Sequence, residues 1–166
     1  MKRFLLLFLL IIGCKQEEEK KINIPRGSEF TKGFTVYESI SGDRKWFLKA
    51  DSAITEKDRI RIYGVHLKFL DREDVHSVLT SDSGFVIEKT GDLIAYGNVE
   101  VLTKDSVKLF TNSLFWDNGN EKILVQGVFH YTGKDEEFEG EGLESDPDLK
   151  HIVIKKRVEG KGSIEE

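Results

Sequence analysis

The side chains in this sequence that could do chemistry are four histidines, thirty carboxylic acids and one cysteine. Their spacing decides what chemistry is open to them. His66, His76, His130 and His151 are scattered without metal-ligand spacing, and strand alternation would send them to different faces. The chain contains no Gly-rich phosphate loop, no G-x-S-x-G elbow and no H-E-x-x-H pair. Asp51, Asp82 and Asn112 do recur, and a recurring acid raises the question of a calcium or carboxylate site. One such residue at the same point of each layer suits turn and backbone hydrogen bonding better. The expectation is a protein that is not an enzyme and uses neither a metal nor a cofactor.

Cys14 is the exception. In "MKRFLLLFLLIIGC", Lys2 and Arg3 precede nine apolar residues, Phe4 to Ile12. That run is shorter than the roughly 20 residues a spanning helix needs, and has the size of a secretory h-region. Ile11-Ile12-Gly13-Cys14 resembles the lipobox of bacterial lipoproteins, in which the cysteine becomes the lipidated first residue. A lone thiol in an exported chain has no partner within it, so a lipid or an intermolecular bond is expected. Residues 1–13 therefore read as a signal peptide with lipobox. Residues 14–33 read as a lipidated cysteine and a charged tether, "KQEEEKK" included. Acyl chains would hold the mature protein at a membrane.

The elements that must position anything else lie in residues 34–166. A net charge of −5 excludes the basic footprint of a nucleic-acid binder. From about Phe34 the apolar residues alternate with period two, and no stretch shows a 3.6-residue apolar period. Turn signals punctuate the strands: Ser41-Gly42-Asp43, Asp71 to Asp74, Thr90-Gly91-Asp92, Asn118-Gly119 and Gly133-Lys134-Asp135. Asn118-Gly119 predicts a tight hairpin. Short strands so punctuated indicate an all-β sandwich, roll or barrel.

The spacing is also periodic. Leu48-Lys49-Ala50-Asp51-Ser52-Ala53 aligns with Leu79 to Gly84, with Leu109 to Leu114, and with Phe138 to Leu143, in steps of 31, 30 and 29 residues. A second phrase, built on Gly64, Gly97, Gly127 and Gly160, steps by 33, 30 and 33. Such units are two-strand layers, each too small to bury its own apolar face. The small residues Ala50, Ser81, Thr111 and Gly140 mark a crowded bend. The glycines suit bulges or corners.

The segment "LTSDSGFVIEKTGDLIAYGNVEVLTKDSVKLFTNSLFWDNGNEKILVQGVFHYTG" resembles the repeat of the lipopolysaccharide-transport bridge proteins. The layout of one N-terminal attachment, a tether and one repeat domain is similar to the LptC family, over roughly 34–160. The resemblance implies an all-β, twisted open β-jelly roll, with two facing antiparallel sheets forming a V-shaped groove from about four repeats of roughly 30 residues. It implies a periplasmic protein that accepts lipopolysaccharide from an inner-membrane ABC transporter of the LptBFG type. It would pass that lipid to an LptA-like bridge protein through sheet-edge pairing. The best-known members hold the membrane with a spanning helix, where this chain has Cys14. Lys15 is not the aspartate associated with inner-membrane retention, so the inner membrane is implied by the family role and an outer-membrane anchor stays open.

On this reading the lipid-binding groove is lined by Trp46, Leu48, Val65, Leu67, Leu79, Val86, Val99, Val101, Leu109, Trp116, Val125 and Val128. The partner edge is the last strand, around Leu149 to Val158, with Ile152, Val153, Ile154 and Val158 beside Lys155, Lys156 and Arg157. Those basic residues equally suit gatekeepers on an exposed edge. Two alternatives stand beside the transport reading: a structural β-roll lipoprotein acting as an assembly scaffold, and a carrier of a different lipid.

Overall fold

A computed structural model describes residues 28–40, 42–156 and 158–162. Cys14, the expected signal peptide, most of the expected tether and Arg157 lie outside the described residues. The chain forms β1 (Glu29–Ile40), β2 (Asp43–Thr55), β3 (Arg59–Asp71), β4 (Asp74–Ile87), β5 (Leu93–Thr103), β6 (Lys108–Asp117), β7 (Lys122–Thr132), β8 (Glu136–Ser145), β9 (Ile152–Ile154) and β10 (Val158–Gly162). The described residues contain no helix. The fold is all-β, with a single antiparallel sheet ordered β1-β2-β3-β4-β5-β6-β7-β8-β10, and β9 on β8 beside β10.

Most of these strands are long, and what divides them is visible in the pairing. The β4–β5 ladder breaks between Thr80 and Ser83, β5–β6 between Tyr96 and Val99, β6–β7 between Thr111 and Phe115, and β7–β8 between Val125 and Val128. In β1–β3 the same line passes through Gly33, Asp51 and Gly64, which the register skips. At β8 it falls where the last strand splits, β9 pairing Leu143 to Ser145 and β10 pairing Glu136 to Gly140. The interruptions therefore run across the whole sheet at the phrases "KADSA", "TSDSG", "LFTNS" and "FEGEG".

Chain chemistry explains the break. Gly64 has φ +63° and Gly97 has φ +74°, a conformation in which a side chain is strained. A Cβ at either would also run into the carboxylate opposite, Asp51 or Asp82. Asp82 accepts a hydrogen bond from Asn98 Nδ2 at 2.9 Å, itself at φ +43°. Two residues spent in such a bulge shift the side-chain phase. In β3 the buried series passes from Ile62 to Val65, Leu67 and Phe69, and in β6 from Leu109 to Leu114 and Trp116.

The sheet folds over on itself. In a flat sheet β3 and β6 would lie about 14 Å apart, yet the rings of Phe69 and Trp116 meet edge-on with centroids 4.7 Å apart. Ser77 Oγ on β4 donates to the carbonyl of Pro147, just beyond β8. The inner faces on both sides of the interruption thus share one apolar core, in which each fully buried large side chain contributes roughly 1.5–3 kcal/mol.

Three expectations are corrected. The strand pattern begins at Glu29 rather than Phe34, because Gly33 (φ +75°) interrupts β1 without ending it, and Lys32 and Phe34 both pair with β2. Asn118-Gly119 is not a two-residue hairpin: the ladder closes at Asp117 and Lys122, leaving a four-residue loop. Asp117 accepts from Asn120 N and Nδ2, at 3.0 and 2.8 Å, and Glu121 rather than Gly119 takes the positive φ. Finally, the segment from Leu149 to Val158 is not one strand. Leu149 is a buried turn residue at φ +56°, and Lys155 N bonds to Gly142 O where β9 ends.

Candidate functional site

Trp46 enters the site from β2, whose alternation buries Trp46, Leu48 and Ala50 against the core. Its Nε1 lies 2.7 Å from Glu38 Oε2 on β1 and 2.7 Å from Asn118 Oδ1 in the β6–β7 loop. Asn118 is held in turn from two sides. Its Nδ2 donates to Thr90 O at 3.1 Å, and its backbone N–H donates to Asp92 Oδ1 at 2.9 Å. A polar clasp thereby joins β1, β2, the β4–β5 loop and the β6–β7 loop. The Asp117 carboxyl beside it is held below the usual aspartate range, first by the Asn120 side chain and then by the Asn120 backbone N–H.

Beside the clasp lies a cavity of about 630 Å³. The tips of the β1–β2 and β3–β4 hairpins bound it on one side, the β6–β7 loop and Pro147-Asp148 on the other. Trp46, Phe69 and Trp116 supply its aromatic wall, while Glu38, Lys45, Asp71, His76, Glu121 and Asp148 supply charge and hydrogen-bonding groups. Such a volume and such a mixture suit a small amphiphile. Trp116 is 3% exposed, and its Nε1 is a buried donor with no acceptor among the described residues.

Eleven of the twelve sequence-derived groove residues fall in one buried cluster: Trp46, Leu48, Val65, Leu67, Leu79, Val86, Val99, Val101, Leu109, Trp116 and Val125. Val128 does not. It is 54% exposed, because the ladder break between Val125 and Val128 carries three consecutive residues outward and hands the inward place to Phe129. Strict alternation from Val125 passes through Gly127 to Phe129 and already turns Val128 outward; what alternation misses is the phase change that buries Leu114 and Leu143 just past their own corners. Behind the aromatic wall the core is filled. The gap between Trp46, Leu48, Leu67, Val86, Leu93 and Trp116 amounts to about 10 Å³, too little for more than one water. Open space begins at the cavity.

The expected partner edge is also located. Ile152 and Ile154 pack on the core while Val153 is 58% exposed, all on β9. Val158 lies on the separate strand β10, paired with Gly140. A second cavity, about 720 Å³, sits at the bend beside β9. Its lysines are already engaged, Lys155 by Glu144 at 2.7 Å and Lys156 by Glu141 at 2.6 Å.

The histidines remain dispersed. His130 faces Glu139 at 3.3 Å, His151 faces Asp146 at 2.6 Å, and His76 stands 4.0 Å from Asp71. Among the described residues no group of His, Cys, Asp and Glu could hold a metal ion, and no helix is long and apolar enough to cross a membrane. Burial pushes the Asp146 carboxyl up, but hydrogen bonds from the His151 side chain and backbone and from Lys150 N–H outweigh it and hold the group below its usual range. No protein-family model matches the chain, and no curated protein matches it.

Proposed function

We propose that the chain is a membrane-anchored lipid-transfer module of the periplasm, of the kind LptC represents, that accepts lipopolysaccharide from an inner-membrane ABC transporter and passes it to a periplasmic bridge protein. The observation that carries this reading is the line of ladder interruptions. It divides each long strand into two segments whose inner sides share one apolar core, as two sheets of an open V built from repeated layers would. The hairpin tips at the open side flank the aromatic cavity. The two ends of the sheet, β1 and the pair β9 and β10, suit strand addition, in which main-chain hydrogen bonds join domains with little demand on sequence. Lipidated Cys14 would supply the attachment.

Photo-crosslinking side chains at Leu67, Val101 and Trp116 test it in cells that export lipopolysaccharide. Capture of the lipid there, above the level at Lys68 and Lys104, is the expected result. Capture at all five positions to the same extent sinks the groove. Mass analysis of the captured species identifies a different lipid if one is carried.

The filled core favours a second reading, a β-roll lipoprotein that serves as an assembly scaffold. It predicts crosslinks to partner proteins at β1 and β9, no lipid inside, and undiminished lipopolysaccharide export when the protein is depleted.

A further inference from the structure

Every hydrogen-bonding side chain of the clasp has its partner, whereas Trp116, in the same cavity wall, has a buried N–H without one. Leaving a donor unmade in a closed site costs free energy, and each such group in a folded protein calls for an explanation. Its surroundings restrict what could complete it. Trp46 and Phe69 offer apolar surface beside it. The rim carries four carboxylates, Glu38, Asp71, Glu121 and Asp148, against Lys45 and His76. An anionic acceptor such as a phosphate or carboxylate meets net repulsion there, and an uncharged one does not.

We infer that the cavity is a binding site for acylated amphiphiles, seated so that an uncharged ester or amide carbonyl accepts the Trp116 Nε1 proton while the adjoining chain lies on Trp46 and Phe69. This inference rests on the lipid-carrying reading and adds to it which part of the lipid is recognised and which residue selects it. The carbonyl completes the orphaned donor, and the methylenes beside it cover aromatic surface now open to the cavity. Since Trp116 Nε1 is closed to water, the acceptor arrives as the Trp46–Asn118 clasp yields. Binding therefore loosens the clasp.

Sucrose monolaurate and dodecyl maltoside test this on the full chain below their micellar concentrations. Both are uncharged disaccharide amphiphiles, but only the first has an ester carbonyl next to its chain. The expected result is about fivefold tighter binding of the ester, the worth of one net hydrogen bond. In the wild-type protein the ester should shift the Trp116 indole N–H resonance and the maltoside should not. With two tryptophans in the chain, Trp46→Phe assigns the signals. Trp116→Phe keeps the aromatic body and should abolish the ester preference. Equal binding of both amphiphiles with an unmoved indole signal, or a preference that survives Trp116→Phe, overturns the inference and leaves lipid carriage standing. Failure of both amphiphiles to bind overturns both readings.

Discussion

Trp46 and Asn118 are 72 residues apart in the chain, and the indole N–H of one reaches the amide oxygen of the other at 2.7 Å. No ladder joins their strands, so this bond exists only because the sheet is folded over. It ties the β1–β2 edge to the β6–β7 loop beside the cavity walled by Trp46, Phe69 and Trp116.

Removing the clasp should loosen that side without unfolding the sheet. Asn118→Ala deletes the bonds to Trp46 and Thr90 O, while its backbone N–H to Asp92 and the Trp46–Glu38 bond remain. Two part-exposed hydrogen bonds are worth about 1–2 kcal/mol net. Urea unfolding should show that loss with an unchanged slope, and tryptophan emission should shift to the red as water reaches Trp46. An unchanged midpoint would mean the bond carries no stability.

The glycines of the recurring phrase should not respond alike. Gly64→Ala and Gly97→Ala each force a side chain into a left-handed conformation and against an aspartate, and should each cost about 2 kcal/mol or more. At Gly127, φ is not left-handed and a Cβ would meet nothing within 4 Å. Gly127→Ala should be neutral or slightly stabilising. Equal losses at the three sites, measured by thermal unfolding, would remove the argument that φ and the opposing carboxylate define the corner.

Those glycines also show what was legible in the sequence. Period-two alternation found the strands, and spacing found the corners, because a residue type forced by φ recurs wherever the bend recurs. Spacing could not tell Gly64 from Gly127, since both read as glycine in the same phrase. Nor did alternation survive every corner. In β6 it continues from Leu109 to Thr111 and Ser113, whereas the chain buries Leu114; in β7 the phase is kept, which buries Phe129 and leaves Val128 outside. Val128→Glu should accordingly stay within about 0.5 kcal/mol, and Phe129→Ala should cost about 3–5 kcal/mol. The clasp was illegible for another reason. Asn118 sits in a turn-forming dipeptide, and nothing local reveals that its side chain is committed to Trp46 and Thr90.

The β3–β4 turn is improvable. Arg72 and Glu73 both take positive φ, 49° and 76°, in a two-residue turn closed by Asp71 and Asp74. Asn-Gly is the favoured pair for that geometry, and a residue other than Gly, Asn or Asp in the left-handed region costs roughly 1–2 kcal/mol. Arg72→Asn combined with Glu73→Gly should raise stability by about 1 kcal/mol, after the greater chain entropy of glycine is offset. Calorimetry should register a higher Tm. A lower one would mean that the Arg72 or Glu73 side chain contributes contacts that outweigh the backbone strain.

The loop that closes one side of the cavity should weaken in acid. Asp146 accepts hydrogen bonds from Lys150 N–H at 2.9 Å, from His151 N–H at 3.2 Å and from the His151 ring at 2.6 Å. These outweigh its burial and hold its carboxyl below the usual aspartate range. A carboxyl whose folded value is depressed favours the folded state when ionised. Its contribution is fully present above the unfolded value and is lost as pH falls through the depressed one. Asp146→Asn should therefore be less stable than wild type at neutral pH, and the difference should shrink on acidification until the curves meet below the depressed value. Ser77 joins this loop to β4 through Pro147 O, so amide exchange in residues 146–151 should rise over the same pH interval. A stability difference that stays constant from neutral to strongly acidic pH would show that the Asp146 charge does not hold the loop.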